Sequence, residues 1–330
     1  MSATAITIGT FDGVHRGHAA LVEAARKAAG DGGRVVALCF DPHPLSVLRP
    51  EAAPLRLSTF RQRSHWLRAA GADEVIALVP TDELLGQSPE AFLDWVMAEH
   101  TPDIIVEGRD FRFGQDRSGC IQTIEAHAST RGYRAIIVDD VEGTLTDGNV
   151  VRITSSIIRW LICAGRVRDA ARLLGHPYVV CGPVVRGDGR GGADLGMPTA
   201  NIDPCQTLPA DGIYAGLAVG PDGLRYPAAV SVGTKPTFGE NPRVCEAHLI
   251  GLDPDTDKYG WTLRLEFHEW LRDQVAFEGI DHLVEQMHRD VARVREAMAT
   301  TAPGSHAGKH GHTHDPPPTD DERLSLQRHC

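Results

Sequence analysis

Residues 7–18 read T-I-G-T-F-D-G-V-H-R-G-H, and they place two histidines three positions apart within a glycine-rich stretch. An apolar run precedes this stretch and a helical pattern follows it, so it reads as a turn from a strand into a helix. A helix start gathers unpaired N–H groups and the positive end of the helix dipole, and both attract phosphate. The stretch therefore indicates a phosphate-binding turn.

The first half of the chain alternates short apolar runs with helical patterns. This alternation predicts a doubly wound parallel sheet with helices on both faces. In such sheets ligands bind beyond the carboxyl ends of the strands, where the turn after the first strand lies. The predicted strands are 5–8, 35–40, 75–79, 104–106 and 135–138, and the predicted helices are 17–29, 59–70, 89–99 and 121–131.

The pattern changes after about residue 155. Two short helical pieces, 155–164 and 167–174, lead into β-type runs from Tyr178 onward that are broken by Gly, Pro and Asp. Strands at this spacing without helices between them predict a small barrel or sandwich. One helix follows, with an apolar stripe of Ile280, Leu283, Val284, Met287, Val291, Val294 and Met298.

These patterns divide the chain into four parts. We expect a first domain over 1–160, a helical linker over 161–177, a second domain over 178–300, and a disordered tail over 301–330. The tail is rich in histidine, which leaves open a weak transition-metal site or a plain solvated segment, and we favour the second.

Composition limits the class of protein. The chain has 330 residues, of which 42% are hydrophobic and 23% charged, as is typical of a soluble globular protein. Its net charge of -11 argues against a surface that coats nucleic acid. Seven cysteines without a C-x-x-C pair indicate reduced thiols in a cytoplasm, and neither a secretion signal nor a membrane-spanning run is evident.

The histidine pair suits transfer of a nucleotide group. Gly13 and Gly17 allow a phosphate chain to approach the backbone, and His15 and His18 can donate hydrogen bonds to its oxygens. Adenylyl transfer concentrates negative charge around the α-phosphorus, which preorganised donors stabilise. The alternative is two solvated turn histidines beside glycines that serve turn geometry, but the position between strand and helix favours the functional interpretation.

Three further stretches lie at the same predicted sheet edge. They are F-D-P-H-P at 40–44, G-R-D-F-R-F-G-Q-D-R-S-G at 108–119 and T-S-S-I-I-R at 154–159. Two aromatics beside arginines and glycines fit a stacking and phosphate-binding loop, although a surface turn is the alternative. The hydroxyl residues at 154–156 are either plain helix caps or, with Arg159, ligands of a triphosphate.

Together these motifs resemble the adenylyltransferase module of prokaryotic bifunctional riboflavin kinase/FAD synthetases. The family motifs G-x-F-D-G-x-H-x-G-H, F-x-P-H-P, D-F-x-F-G-x-x-R-x-G and I-S-S-T-x-I-R occur here in order, with Ser156 in place of the usual threonine. The resemblance implies that His15 and His18 are catalytic. It also implies that ATP and its phosphates are bound by Gly9, Phe11, Gly13, Gly17, Asp110, Arg117, Ser155, Ser156 and Arg159.

The second half resembles the riboflavin kinase module of the same family, which implies an antiparallel β-barrel with a C-terminal helix. The matching stretches are G-M-P-T-A-N-I at 196–202, G-T-K-P-T-F-G at 233–239, C-E-A-H-L at 245–249, D-K-Y-G at 257–260 and L-R-D at 271–273. The resemblance implies Glu246 as the catalytic base and Thr199 and Asn201 as contacts to Mg²⁺. Flavin or ATP would contact Gly187, Arg190, Gly196, Pro198, Thr199, Asn201 and Arg272.

The alternative for Glu246 is an exposed strand residue that shares a face with His248. This module also departs from the family pattern. The loop from Gly187 to Gly196 is one residue longer and lacks its second arginine, Met197 replaces phenylalanine, and Lys235 replaces asparagine. We expect weaker ATP binding as a result.

The resemblance implies a cytoplasmic enzyme that uses ATP and Mg²⁺ to convert riboflavin into FMN and FMN into FAD. Its partners would be these small molecules, with neither nucleic acid nor membrane, and it would self-associate weakly at most. Three alternatives remain: an adenylyltransferase with a degenerate flavin-holding kinase module, a nucleotidyltransferase for another small molecule, and a non-catalytic flavin or metal sensor. The kinase-type second half argues against the second alternative, and the intact histidine pair argues against the third.

Overall fold

A five-stranded parallel sheet forms the centre of the first of two units, Met1–Ser155, in a computed structural model that describes residues 2–187, 197–234 and 243–299. Its strands lie in the order β3-β2-β1-β4-β5, so the chain reverses its direction of travel across the sheet between β1 and β4. The doubly wound parallel sheet is therefore confirmed. The strands are β1 (Thr4–Gly9), β2 (Arg34–Phe40), β3 (Glu74–Leu78), β4 (Ile104–Gly108) and β5 (Arg134–Val138).

Helices cover both faces of this sheet. On one face Val22 of α1 and Leu67 of α3 pack with Ala5, and on the other Phe92 of α5 and Ile124 of α6 are buried together. A small antiparallel pair, β6 (Glu142–Thr144) and β7 (Val150–Arg152), lies outside the sheet. The helices are α1 (Arg16–Ala29), α2 (Pro44–Leu48), α3 (Phe60–Ala69), α4 (Asp82–Leu85), α5 (Pro89–His100) and α6 (Ile121–Arg131).

The helix starts follow local sequence chemistry. Ser88 caps α5 through its side chain, and Pro89 occupies the first turn, which are favoured residues at these positions. Thr59 and Gln62 form a reciprocal capping box at the start of α3, so two orphan backbone donors are satisfied.

A closed antiparallel barrel forms the second unit, Ser156–Cys330. Strand β12 alternates between buried Cys245 and Ala247 and the more accessible Glu246 and His248, as its sequence predicts. The barrel form is thus confirmed over the sandwich. Its strands close in the order β10-β11-β12-β9-β8-β13, with bounds β8 (Tyr178–Val185), β9 (Ala200–Ile202), β10 (Gly212–Val219), β11 (Arg225–Gly233), β12 (Val244–Leu249) and β13 (Thr262–Arg272).

In the described part of the chain, three further helices are α7 (Ser155–Cys163), α8 (Val167–Leu174) and α9 (Ile280–Ala299). Helix α8 packs on β13 and β8, and α9 packs on β10 and β11. The predicted boundaries at 160, 177 and 300 stay predictions, and the histidine-rich tail at 301–330 lies outside the described residues.

The apolar stripe of α9 is used unevenly. Val294 is fully buried, whereas Ile280 at the start of the helix is exposed. A charged residue of the same helix, Asp290, is also buried, and it accepts hydrogen bonds from Arg272 Nε at 3.1 Å and Nη2 at 2.7 Å. This ion pair anchors α9 to the end of β13.

We expect Asp290→Ala to destabilise the barrel by about 3–5 kcal/mol, because it leaves a largely buried guanidinium without its counter-charge. The matched control is Asp281→Ala, an exposed acid of the same helix, which should cost about 1 kcal/mol or less. The free energy of unfolding of each variant is measured by urea titration, and hydrogen exchange of β13 and α9 then locates the loss of stability. Equal stability of the two variants would show that the ion pair does not anchor the helix.

Candidate active sites

The turn between β1 and α1 has an unusual backbone. Phe11 and Val14 adopt positive φ angles of 48° and 40°, which side-chain-bearing residues rarely do. Both side chains are buried, so packing holds a conformation that would otherwise be costly. The turn is therefore a fixed element rather than an open surface loop.

The buried carboxylate of Asp12 fastens this turn to residues 57 and 58. It accepts hydrogen bonds from the Leu57 and Ser58 backbone N–H groups at 2.9–3.0 Å and from the Ser58 hydroxyl at 3.0 Å. Ser58 Oγ in turn accepts from the Gly13 N–H at 2.7 Å. Sequence analysis missed both roles, since the partner segment lies far along the chain.

The two histidines stack at the start of α1. Their ring centroids are 3.6 Å apart with planes 16° from parallel, and Phe11 meets the His18 ring edge-on at 5.3 Å. His15 caps the helix, because its Nδ1 accepts the His18 backbone N–H at 3.3 Å. A neutral His15 therefore carries its proton on Nε2. A Cβ atom on Gly17 would lie 3.1 Å from the His15 ring, so glycine permits this close approach.

His18 is held in its neutral form. Burial lowers its pKa well below the usual 6.5, and the electrostatic influence of His15 and of the Arg63 guanidinium lowers it further. Among the described residues, no group pairs with its buried Nδ1 atom. An uncharged imidazole with an unpaired nitrogen at a helix start is suited to hydrogen-bond a bound oxyanion.

Arg63 of α3 joins the ends of two strands near His18. Its guanidinium donates to the carbonyl oxygens of Thr10 at 2.7 Å and Phe40 at 2.8 Å, and it forms an ion pair with Asp41. Arg63 thus ties the turn after β1 to the F-D-P-H-P stretch after β2. Sequence analysis missed it, although its position one turn before the buried Leu67 was a usable signal.

The loop at 108–119 is packed rather than open. Phe111 and Phe113 stack with centroids 5.3 Å apart, and Phe113 is buried against Phe92. A Cβ atom on Gly114 or Gly119 would come within 2.9 Å of Pro89, so both glycines allow the loop to lie against α5.

The charged candidates of that loop lie at the surface. Arg117 is exposed with a φ of 57°, and Asp110 forms an ion pair with Arg152. Of the predicted hydroxyl contacts, Ser155 Oγ donates to the Asp12 carbonyl at 2.8 Å. Ser156 and Arg159 belong to α7 in the second unit.

The second unit brings its predicted kinase residues together on the outer face of the barrel. Asn201 of β9 lies directly across from Glu246 of β12. Thr199 directly precedes β9, two residues before Asn201, and the residue between them, Ala200, is buried. A Cβ atom on Gly187 would overlap the Asn201 side-chain amide, so the backbone passes close to this group.

Two polar residues that sequence analysis missed extend this row. Ser231 of β11 faces Glu246 from the opposite side of Asn201, and Gln274 Nε2 donates to Ser231 Oγ at 2.9 Å. Pro198 contributes its carbonyl oxygen, which lies 3.0 Å from His248 Nδ1. These partners come from strand pairing between distant segments, which leaves no local signal.

Arg272 stands apart from this row. Its guanidinium is engaged by Asp290 and by the Asp273 carbonyl. Arg186, next to Gly187, lies 5.2 Å above the Tyr259 ring of the D-K-Y-G stretch. Three positions singled out in the sequence, Arg190, Gly196 and Lys235, lie outside the described residues.

The described residues contain neither a metal-binding cluster nor a membrane-spanning helix. No group of three or more His, Cys, Asp or Glu side chains is placed to hold a metal ion within 2–187, 197–234 and 243–299. Within the same ranges, none of the helices combines the length and the apolar character that crossing a bilayer requires.

A histidine-bearing turn on a parallel sheet, followed by a barrel with a carboxylate–amide pair, fits a two-module nucleotide-dependent transferase. Residues 1–152 match the family model for FAD synthetase, and residues 174–298 match that for riboflavin kinase. The chain belongs to the bifunctional riboflavin kinase/FMN adenylyltransferase family.

Curated relatives support this membership over most of the chain. The bifunctional riboflavin kinase/FMN adenylyltransferase of Escherichia coli strain K12 is 31% identical over 303 residues, covering 90% of this chain and 94% of the relative. The protein of the same name from Pseudomonas fluorescens is 33% identical over 304 residues, covering 91% and 94%.

A solved structure has the same fold. It is described as a macrolide-efflux protein from Streptococcus pneumoniae, with 29% identity and a TM-score of 0.76, and the match covers 89% of this chain and 94% of that one. This likeness supports the two-module fold.

The burial of His18 can be tested by titration. We expect its ring resonances in NMR spectra to titrate with a midpoint well below 6.5, since burial opposes the charged form. The control is the protein unfolded in urea, in which the histidines titrate with a pKa of about 6.5. As the pH falls below 6.5, His18 takes up a proton in the unfolded state but not in the folded state. The free energy of unfolding therefore decreases as the pH falls through this range. A folded-state midpoint at or above the unfolded value would contradict the assignment.

Proposed function

We propose that this protein makes FMN and FAD in two steps, each in its own module. The barrel transfers the γ-phosphoryl group of ATP to the terminal ribityl hydroxyl of riboflavin. The parallel-sheet module then transfers AMP from a second ATP to the FMN phosphate and releases pyrophosphate. One observation carries the proposal: each unit gathers its own set of reactive side chains, the His15–His18 pair in one and the Asn201–Glu246 pair in the other.

In the adenylyl step, the FMN phosphate oxygen forms a bond to the α-phosphorus as the bond to pyrophosphate breaks. Negative charge builds on oxygens that surround the α-phosphorus. His15 Nε2–H and the neutral His18 ring supply hydrogen-bond donors at the start of α1, where the helix dipole also favours anions. The stack of the two rings and the strained turn keep these donors oriented before substrate binds, which lowers the reorganisation needed.

Removal of the His18 ring tests this step. We expect His18→Ala to lower kcat for FAD formation from FMN by about 100-fold or more, the scale of losing one preorganised donor. Riboflavin phosphorylation by the same chain should be unchanged, because it takes place in the other module.

The matched control for His18→Ala is His100→Ala. His100 ends α5 just before β4 and therefore lies at the amino edge of the sheet, away from the turn. Wild-type FAD synthesis by His18→Ala would contradict the role of His18.

In the kinase step, Glu246 accepts the proton of the ribityl hydroxyl while the hydroxyl oxygen forms a bond to the γ-phosphorus of ATP. The bond from that phosphorus to the β,γ-bridging oxygen breaks at the same time, and ADP leaves. A hydroxyl becomes a competent nucleophile when a positioned carboxylate takes its proton. Ser231 beside Glu246 provides a hydroxyl that can hold the carboxylate in place, and Gln274 in turn fixes Ser231. The base is therefore supported from a neighbouring strand and from the segment after β13.

The donor set beside Glu246 fits Mg²⁺. The oxygens of Thr199 and Asn201 are hard ligands two residues apart in the chain, and Asn201 lies directly across from Glu246. When bound with ATP, Mg²⁺ would neutralise phosphate charge during transfer. The chain's own part is to hold Thr199 and Asn201 next to the base, so that nucleophile and phosphate meet.

Exchange of the base for its amide separates the two activities. We expect Glu246→Gln to abolish FMN formation from riboflavin, because the amide cannot accept the hydroxyl proton at neutral pH. Conversion of added FMN into FAD should persist. Glu278→Gln, an exposed acid of the same unit, is the matched control and should retain both activities. Normal FMN formation by Glu246→Gln would rule out Glu246 as the base.

The function as a whole is tested by incubating the protein with riboflavin, ATP and MgCl₂ and resolving FMN and FAD by chromatography. We expect both products, with FMN appearing first. FAD from FMN but no product from riboflavin, even at millimolar ATP, would leave an adenylyltransferase with a flavin-holding second module. Omission of MgCl₂ with EDTA present should stop both steps.

We further infer a cytoplasmic enzyme whose partners are its small-molecule substrates, without nucleic acid or membrane, and with weak self-association at most. The net charge of -11 supports the absence of nucleic-acid and membrane partners, because a negatively charged protein is repelled by polyanionic surfaces. Sedimentation velocity over a range of concentrations measures the self-association.

A further inference from the structure

Strands β1 and β4 separate at the point where the sheet reverses its winding. The ladder between them covers only the pairs Ala5–Ile104 and Ile6–Ile105. In contrast, β1 pairs with β2 along its whole length, from Thr4 to Gly9. The carboxyl ends of β1 and β4 therefore diverge, and they open the crevice in which sheets of this kind bind their ligands.

The side chain of Glu107 spans this divergence. Its Oε1 atom accepts the backbone N–H of Ile8 at 2.6 Å, and the residue is only 1% exposed. A buried backbone N–H needs a partner, and the carboxyl of Glu107 provides it where the ladder between the two backbones has ended. A side chain thus replaces a backbone acceptor between these strands.

This contact joins the two segments that lead into the predicted adenylyl site. Ile8 is followed by Gly9, Thr10 and the turn that carries the stacked histidines. Glu107 is followed by Gly108 and the loop that contains Asp110. The spacing of the two strand ends therefore sets the distance across the crevice between the turn and the loop.

We propose that Glu107 is a positioning residue for adenylyl transfer, whose carboxyl holds the end of β1, and with it the His15–His18 turn, at its working distance from β4. This inference rests on the adenylyltransferase activity proposed above. Glu107 contacts no reacting group itself and acts through the Ile8 amide.

The charge state of Glu107 suits this role. Burial raises its pKa well above the usual 4.5, and the nearby Asp110 adds to that effect, while the Ile8 N–H opposes it. A raised pKa favours the uncharged form of the carboxyl, which repels the phosphates of ATP less than a carboxylate does. The contact with Ile8 requires an acceptor oxygen at the end of a side chain of this length, which glutamine also provides.

Two variants separate positioning from direct participation. We expect Glu107→Gln to keep kcat for FAD formation close to the wild-type value, since its amide oxygen still accepts from Ile8. Glu107→Leu removes the acceptor at similar volume and should lower kcat by about 10- to 100-fold, with KM for FMN and ATP little changed, because misplaced donors fail mainly in the transition state. Riboflavin phosphorylation in the same samples is the internal control and should be unaffected.

Each result decides the matter. A wild-type kcat in Glu107→Leu overturns the proposal, and so does an equal loss in Glu107→Gln, which would show that the carboxylate itself takes part in the chemistry. If Glu107→Leu does not fold, Glu107→Asp carries the test. Its acceptor falls one methylene short, so an intermediate loss of kcat supports the proposal and a wild-type kcat overturns it. Failure of the adenylyltransferase activity itself would appear in the wild-type protein.

Discussion

The buried carboxylate of Asp12 is the interaction on which the first unit's site depends. The turn between β1 and α1 contains residues in a disfavoured backbone conformation, and such a turn persists only where its surroundings hold it. Asp12 holds it from one side through Leu57 and Ser58, while its own carbonyl accepts the Ser155 hydroxyl. The stacked histidines inherit their orientation from this arrangement, because His15 is both the last turn residue and the cap of α1.

Local pattern was enough to predict the framework but not the buried charges within it. Alternation of strands and helices predicted the parallel sheet. The spacing of the strands in the second unit predicted either a barrel or a sandwich, and sequence could not choose between them because both architectures bury alternate residues of each strand. Arg63 and Asp290 were missed because a charged residue in a helical pattern is usually solvated, whereas these two are buried by long-range packing. Glu107 was missed for a similar reason, since an acid at the end of an apolar run reads as the end of a strand.

The two candidate sites also differ in how much of each the sequence could reveal. His15, His18 and the neighbouring glycines lie close together in the chain, so the sequence identified the turn as one motif. The row of Ser231, Glu246 and Asn201 is assembled by pairing of three strands, and only its two family-matched members were anticipated. The sequence around Ser231 and Gln274 contains no motif, because these residues are of interest only through their contacts. Ser231 lies opposite Glu246, and Gln274 donates a hydrogen bond to Ser231.

In the closed barrel, alternate residues of a strand serve different purposes: one set packs the interior and the other set lies on the outer face. On β12 the side chains of Cys245, Ala247 and Leu249 fill the interior, while Glu246 and His248 face outward. Mutations that repack the interior can therefore accumulate without touching Glu246, the proposed base, whereas a shift of register by one residue would exchange the two sets of side chains. Such a slip would bury the Glu246 carboxylate among apolar groups and leave the Cys245 thiol on the outer face. The apolar core of the barrel is thus what keeps its acid on the outside.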